Sequence, residues 1–576
     1  MAPSTLAASD PDASHSALEI TRASLRLPFY LYEGLDFDDG SWFEPCARGL
    51  RGETYVEDQY SGEHYFLAAL RAHRWRVTDP TAALLFVVPL YANAALQPSV
   101  SGMSCNGTHY QVLFDRTASA VAASEYYQRH QGADHLLVSN SWKIAQKPPQ
   151  QAPWSKHTKL NVKGSGDYFR HVFRNAIVGH METRHGGSDD SSFWRCSVIS
   201  PYTANLDADS ERRASHTVPP AARERDVSFY FQGGANNRGT YGYAFRQAAL
   251  AQLEDLPRAH ISAFSLPGNP VGCRGAVTTN CKAGRSNPMF RSLMRRSRFN
   301  LVLRGDSPSS RRLYDGIAVG AISVLVSDQT WTVGLPFGCL VPWRRMAFTL
   351  SERPFETASG AARELKALDE LAPPILARVQ RLANRHRRDV LWNANGSRVA
   401  ENILITAALR CLPGHVTRHR AGRPAAVGAA LRTLKSMCPY QDASLTCRQP
   451  DSANCAGCET GDVAGSTPVE HCCATSCPTC NRTGRCLPPS VYYGDPLTHD
   501  PARREALAAY LGQKDRDLAE GLKTWRARVG RPTMQATHAK QHGKGGGGGR
   551  GAMPSKRPTA RRPPIAREAN RTRGGG

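Results

Sequence analysis

Residues 297–326 read SRFNLVLRGDSPSSRRLYDGIAVGAISVLV, and this stretch decides the fold. Phe299 through Leu303 is a short apolar run of the length a buried strand needs. Arg304-Gly-Asp-Ser-Pro-Ser-Ser follows as a turn able to start a helix, with Ser307 as cap and Pro308 at the first helical position. Leu313 and Ile317, four apart, share one helical face. Gly320 can stop the helix, and residues 322–326 read as a second buried strand. The result is a strand–loop–helix–strand unit whose helix begins among arginines. Such a terminus presents unpaired backbone N–H groups and the positive end of the helix dipole, and phosphate is a frequent guest there. Arg304, Arg311 and Arg312 add guanidinium forks suited to a diphosphate. Asp315, one turn into the helix, is placed to accept hydrogen bonds from a ribose. A half-exposed βαβ unit with solvated arginines would carry the same pattern, and Arg311 in particular reads as a surface charge.

Four more stretches stand in order before this unit. Phe29-Tyr-Leu-Tyr-Glu33 reads as an opening strand. Tyr60-Ser-Gly-Glu-His-Tyr-Phe66, Arg76-Val-Thr-Asp-Pro80 and Leu85-Phe-Val-Val-Pro-Leu-Tyr91 read as a helix, an Asp-Pro turn and an apolar strand. Gly132-Ala-Asp-His135 leads into another strand, and Ser228-Phe-Tyr-Phe-Gln-Gly-Gly234 ends one. Together the five blocks resemble the exostosin-like glycosyltransferases over roughly residues 25 to 410.

The resemblance implies a GT-B fold, with two Rossmann-like α/β domains facing a cleft. It implies an inverting transfer of a sugar from a nucleotide donor, UDP being the expected nucleotide, to a glycan or glycoprotein acceptor. No cofactor and no metal are implied. Arg304, Gly305, Ser310 and Arg312 match the donor-binding positions, Asp315 matches the ribose-binding acid, and Gly233 can let backbone approach the donor or serve as a plain turn glycine. The acid that the family places before Leu-Pro-Phe is missing, because Gly334 stands in Trp331-Thr-Val-Gly-Leu-Pro-Phe337. Asp328 is the nearest substitute for a catalytic base. Asn300, Ala321 and Ser323 replace other family residues and read as packing changes, and Ser141-Trp142 lacks the preceding Asp. Loss of the acid leaves open a second reading, a catalytically inactive glycan-binding protein on the same fold. His135 reads as a core histidine, and Asp207-Ala-Asp209, which mimics a metal-binding motif, as solvated charge.

A chain of 576 residues holds two or three domains. Residues 1–24 read as disordered, 25–220 as an N-terminal α/β domain on the acceptor side, and 221–411 as a C-terminal α/β domain on the donor side. Within the second, Phe245, Ala249, Leu253 and Leu256 trace one helical face. Residues 438–486 hold nine of the 16 cysteines. Their spacing fits a zinc ribbon in part, while their density fits a disulfide-stapled module, which the resemblance favours. Nine is odd, so one would pair outside, with Cys411 nearby, or stay free. Residues 501–527 read as a helix.

The formal net charge of +24 suggests polyanion binding. Residues 538–576 carry ten Lys or Arg against Glu568, so +9 sits in a glycine-rich tail that reads as disordered. The tail allows contact with an anionic polymer, but no motif supports specific nucleic-acid recognition. The longest mainly apolar run, residues 82–96, is short and holds Pro89, so no membrane span is expected. Residues 1–20 lack the basic start and apolar region of a signal peptide. The resemblance nevertheless implies the Golgi membrane or lumen.

Overall fold

Short, mostly apolar strands alternating with helices suit parallel sheets buried on both faces, and this chain builds two. The first sets β1 (Phe29–Leu31), β2 (Leu85–Val87), β3 (His135–Val138), β4 (Ile177–His180) and β5 (Cys196–Ile199) side by side in chain order, all parallel. The second comprises β6 (Val227–Gly234), β7 (Ala259–Phe264), β8 (Ser297–Leu303), β9 (Ile322–Val326) and β10 (Ala347–Leu350). Its order is β10-β9-β8-β6-β7, again all parallel. The protein is therefore α/β with two parallel sheets, as the alternation of runs predicts.

The structure, a computed structural model, describes residues 19, 22–23, 25–37, 59–96, 110–140, 144, 167–182, 196–204, 221–234, 241–253, 256–264, 288–305, 308–328, 330, 334–338, 340–356 and 360–412. The cysteine-rich stretch 438–486, the 501–527 helix, the 538–576 tail, Ser307, Asp207 and Asp209 lie outside the described residues. Among the described residues no helix is long and apolar enough to cross a membrane.

Helix α1 (Gly62–Arg71) borders the first sheet. Helix α2 (Tyr241–Leu253) buries Phe245, Ala249 and Leu253 against the second, the face that their spacing marks. Helix α3 (Pro288–Arg296) runs directly into β8, and α4 (Arg311–Ala318) joins β8 to β9. Helices α5 (Pro373–Arg385) and α6 (Arg387–Val390) follow the second sheet. Helix α7 (Val399–Arg410) then returns to the first sheet, packing on β5 and α1.

That return is fastened in several places. Cys411, just past α7, is disulfide-bonded to Cys196 of β5. Cys411 is therefore not the outside partner of the cysteine-rich stretch. Trp392 Nε1 donates to the carbonyl of Pro201 at 2.8 Å. Arg22 is buried and donates to Asp389 (2.8 Å) and to Asn402 (2.6 Å). Ordered chain thus starts before residue 25, where composition alone puts the boundary, because a buried carboxylate needs a cation.

The helix read from residues 307–320 starts later than its sequence suggests. Ser310, not Ser307, is the cap: its backbone is extended and its Oγ accepts the Arg312 N–H at 3.3 Å. Pro308 stays in the turn, where its carbonyl accepts from Thr330 Oγ1. The other end behaves as predicted. Gly320 has φ +70°, and the N–H groups of Gly320 and Ala321 close back on Ile317 and Gly316. Arg387 and Arg225 donate to the Ala318 and Val319 carbonyls, placing two cations at the negative end of the dipole.

Candidate active site

In the second sheet the strand order reverses between β6 and β8. Ligands of open α/β sheets bind beyond the carboxyl ends of the strands at such a reversal. Gly233, Arg304 and Gly305 all lie there. The crevice is braced by Arg246 of α2, which donates to the carbonyls of Gly234, Leu303 and Arg304 at 2.8–3.0 Å. A Cβ on Gly305 would come within 2.9 Å of that guanidinium, so residue 305 must be glycine for Arg246 to reach. Gly233 has a different reason for being glycine: a Cβ there would meet the Phe231 ring at 2.7 Å. It lies within β6, not in a turn.

Arg304 is buried, with its Nη1 3.3 Å from Glu352 Oε1 just past β10. Between them lies the end of β9. There Asp328 donates its N–H to Glu352 Oε1 and accepts the Glu352 N–H on Oδ1. Asp328 is exposed.

Around the start of α4 the predicted residues do meet. Arg312 lies over the Phe290 ring, 4.8 Å from its centroid, and its Nη1 is 3.3 Å from Asp315 Oδ2. Arg311 corrects its reading as a surface charge. It is buried, with Nε 3.6 Å from the same carboxylate oxygen, because the i,i+4 spacing turns it inward onto Asp315. Asp315 is fully buried between the two arginines, so its ribose contact would have to be shared with them. Asn300 is more than a packing change. Its Nδ2 donates to the Arg312 carbonyl at 2.7 Å, and a Cβ on Gly316 would press within 2.4 Å of that nitrogen. The pair holds α4 close against β8.

Residues that the sequence did not single out come from the first sheet. Glu182 follows β4 and Tyr202 follows β5, both at carboxyl ends. The Ser309 hydroxyl, from the turn before α4, donates to Glu182 Oε1 at 2.5 Å and lies 3.3 Å from the Tyr202 hydroxyl. Burial, and then the charge of Glu182, push the Tyr202 phenol well above its usual range, so it remains a donor. The only sequence signal for Glu182 was an acid directly after an apolar strand run. His135 is the core histidine it was expected to be, fully buried between Asp134 (2.9 Å) and the Tyr32 hydroxyl (2.9 Å). Among the described residues no group of His, Cys, Asp or Glu is arranged to hold a metal ion.

The two parallel sheets, flanked by helices, define the class as α/β. The chain belongs to the exostosin GT47 family, whose domain matches residues 26–359, more than half its length. It is 24% identical over 333 residues to "Probable glucuronosyltransferase 47 A" of Physcomitrium patens, covering 57% of this chain and 63% of that protein. It is 23% identical over 289 residues to "Probable xyloglucan galactosyltransferase GT17" of Arabidopsis thaliana, covering 50% and 56%. The chain thus spans less than two thirds of the length of these relatives. Among solved structures it overlaps the N-terminal domain of trehalose-6-phosphate phosphatase from Candida albicans. That match has a TM-score of 0.30 and 8% identity, over 66% of this chain and 96% of that one. It also overlaps the calicheamicin glycosyltransferase CalG4, with a TM-score of 0.26 and 13% identity, over 67% and 99%. The two-sheet fold itself stands on the strand order.

Proposed function

We propose that the protein is an inverting glycosyltransferase that moves a sugar from a UDP-sugar to a glycan or glycoprotein acceptor. One observation carries the reading. In a chain of the exostosin family, Arg304 and the arginine-flanked start of α4 both stand beside the strand-order reversal of the second sheet. A departing diphosphate gains negative charge as its bond to the sugar breaks, and fixed positive groups aimed at that charge lower the barrier. Arg304, Arg312, the Ser310 hydroxyl and the positive dipole end of α4 are those groups. They serve where another enzyme would use a divalent metal. The donor then sits on the second sheet and the acceptor on the first, the arrangement of a GT-B enzyme. The Cys196–Cys411 disulfide supports an oxidising compartment such as the Golgi lumen.

The purified full-length chain, titrated with UDP by calorimetry, tests this reading. UDP binding that persists in EDTA, with UDP release from UDP-galactose or UDP-glucuronic acid, is expected. No UDP binding would overturn it. Gly334, standing where the family has an acid, favours a second reading, a glycan-binding protein without turnover. UDP binding with no donor consumption would select that one.

A further inference from the structure

We infer that Glu182 is the general base that takes the proton from the acceptor hydroxyl, an assignment that rests on the glycosyl-transfer reading above. A base for this reaction has to meet three conditions. It belongs on the acceptor side, it must face the donor site, and its carboxylate must not be held in an ion pair.

Glu182 meets the first two by position. It extends from β4 of the first sheet, is buried, and reaches the turn that leads from Arg304 into α4. It meets the third by its partners. Asp315 is bracketed by Arg311 and Arg312, Glu352 by Arg304, and Asp389 by Arg22 and Arg398. Each of those carboxylates would have to break an ion pair to receive a hydroxyl. Among the described residues no Lys or Arg lies within ion-pair distance of Glu182. Its Oε1 instead accepts a hydroxyl, that of Ser309. The Ser309 Oγ therefore stands in for the sugar hydroxyl that an acceptor would bring.

Gly334 lies in the same neighbourhood. A Cβ on Gly334 would sit 3.5 Å from the Ser309 Cβ, so a side chain at 334 would enter the space beside Ser309. The expected acid is absent from one side of Ser309, and Glu182 supplies a carboxylate from the other. Asp328 is less suited, because its Oδ1 is committed to the Glu352 N–H.

The step balances. Glu182 takes the hydroxyl proton as the acceptor oxygen bonds to the anomeric carbon. The bond from that carbon to the diphosphate oxygen breaks, and its electron pair leaves with UDP. Glu182, now neutral, returns the proton to solvent after the product departs.

Glu182→Gln, Glu182→Asp and Ser309→Ala in the full-length chain test this, with UDP release from UDP-galactose and UDP-glucuronic acid as readout and UDP affinity measured beside it. Glu182→Gln should lower kcat by about 100-fold or more, the range of a lost general base, with UDP affinity unchanged. Glu182→Asp should recover part of the rate. Ser309→Ala should cost far less than Glu182→Gln. If Ser309→Ala falls as far as Glu182→Gln, the contact is only a link between the two sheets and the assignment is wrong. Wild-type kcat surviving in Glu182→Gln would also overturn it and leave the transferase reading standing. A wild-type chain that binds UDP but consumes neither donor would overturn the transferase reading, and the base with it.

Discussion

Arg304 and Glu352 form a buried ion pair, 3.3 Å apart, that bridges the carboxyl ends of β8 and β10 over the end of β9. Both side chains are nearly inaccessible, so neither charge has water to fall back on. Glu352→Gln keeps an acceptor for the Asp328 N–H but takes the charge from Arg304. Removing one partner of a buried pair costs about 3–5 kcal/mol, and the retained hydrogen bond places this variant near the lower figure. Urea unfolding should show that loss. A change under about 1 kcal/mol would mean that the pair behaves like a surface contact.

Arg312 and Arg311 should separate cleanly. Arg312→Ala should weaken UDP binding by about 1.5–3 kcal/mol, the cost of a hydrogen bond to a charged group. Arg311 points onto Asp315 from within the core, so Arg311→Ala should lower the unfolding midpoint instead. Its effect on UDP affinity should be the smaller of the two. Calorimetry beside urea unfolding distinguishes them. Equal losses of UDP affinity would remove Arg312 from its donor role.

What could be read from the sequence was whatever local pattern decides. The strands show as apolar runs, the α2 face as a three- and four-residue spacing, and the end of α4 as Gly320, whose positive φ suits glycine. The start of α4 was misplaced because three serines and a proline compete for it. The contacts that settle the choice, Ser309 to Glu182 and Pro308 to Thr330, come from distant chain. Arg311 was legible in principle, since Asp315 is four residues on, but arginines beside a phosphate-type turn invite a ligand or solvent reading. Arg246 carries no local signal of its role, and Glu182 only its place after an apolar strand run. The Cys196–Cys411 pair spans a separation of 215 residues, and connectivity over such a distance does not show in spacing.

Arg246 braces the carboxyl ends of β6 and β8 through three main-chain carbonyls. Arg246→Ala leaves the ends of β6 and β8 without those donors. A loss of about 3 kcal/mol in unfolding free energy is expected, allowing for water to replace part of the bonding, together with weaker UDP binding. Arg246→Lys offers a point charge in place of a planar fork and should restore little. Full UDP affinity in Arg246→Ala would show that the crevice keeps its shape without the brace.

Stability should fall in mild acid. Burial, and after it the charge of Arg74, hold His73 down at about 4, against an ordinary value of 6.5. Between those values the unfolded chain binds the proton and the folded chain does not, so stability is complete above 6.5 and declines as pH drops toward 4. Burial lowers His64 and His260 as well, adding to the slope. Glu401, with Oε2 3.9 Å from His73 Nε2, is pushed up by burial and works in the opposite sense. His73 Nδ1 accepts the Trp75 N–H at 3.1 Å. Asn can place an oxygen in that position without titrating. His73→Asn should therefore flatten the fall of melting temperature with pH, and an unchanged slope would clear His73 of the effect.

The disulfide is the last test, and it bears on both the fold and the compartment. Cys196 lies on β5 and Cys411 just past α7, so the bond closes the chain from the first sheet, through the second, and back. Cross-linking residues so far apart removes much of the freedom of the unfolded chain, worth about 2–5 kcal/mol. Cys411→Ser should lower the unfolding midpoint by an amount in that range. Reductant should lower the wild-type midpoint toward the same value and leave that of the variant unmoved. Mass spectrometry of the non-reduced protein should recover the Cys196 and Cys411 peptides as one linked species. Finding both thiols free in protein from its native compartment would break the covalent fastening of α7 to the first sheet. It would also remove the support that the bond lends to an oxidising lumen.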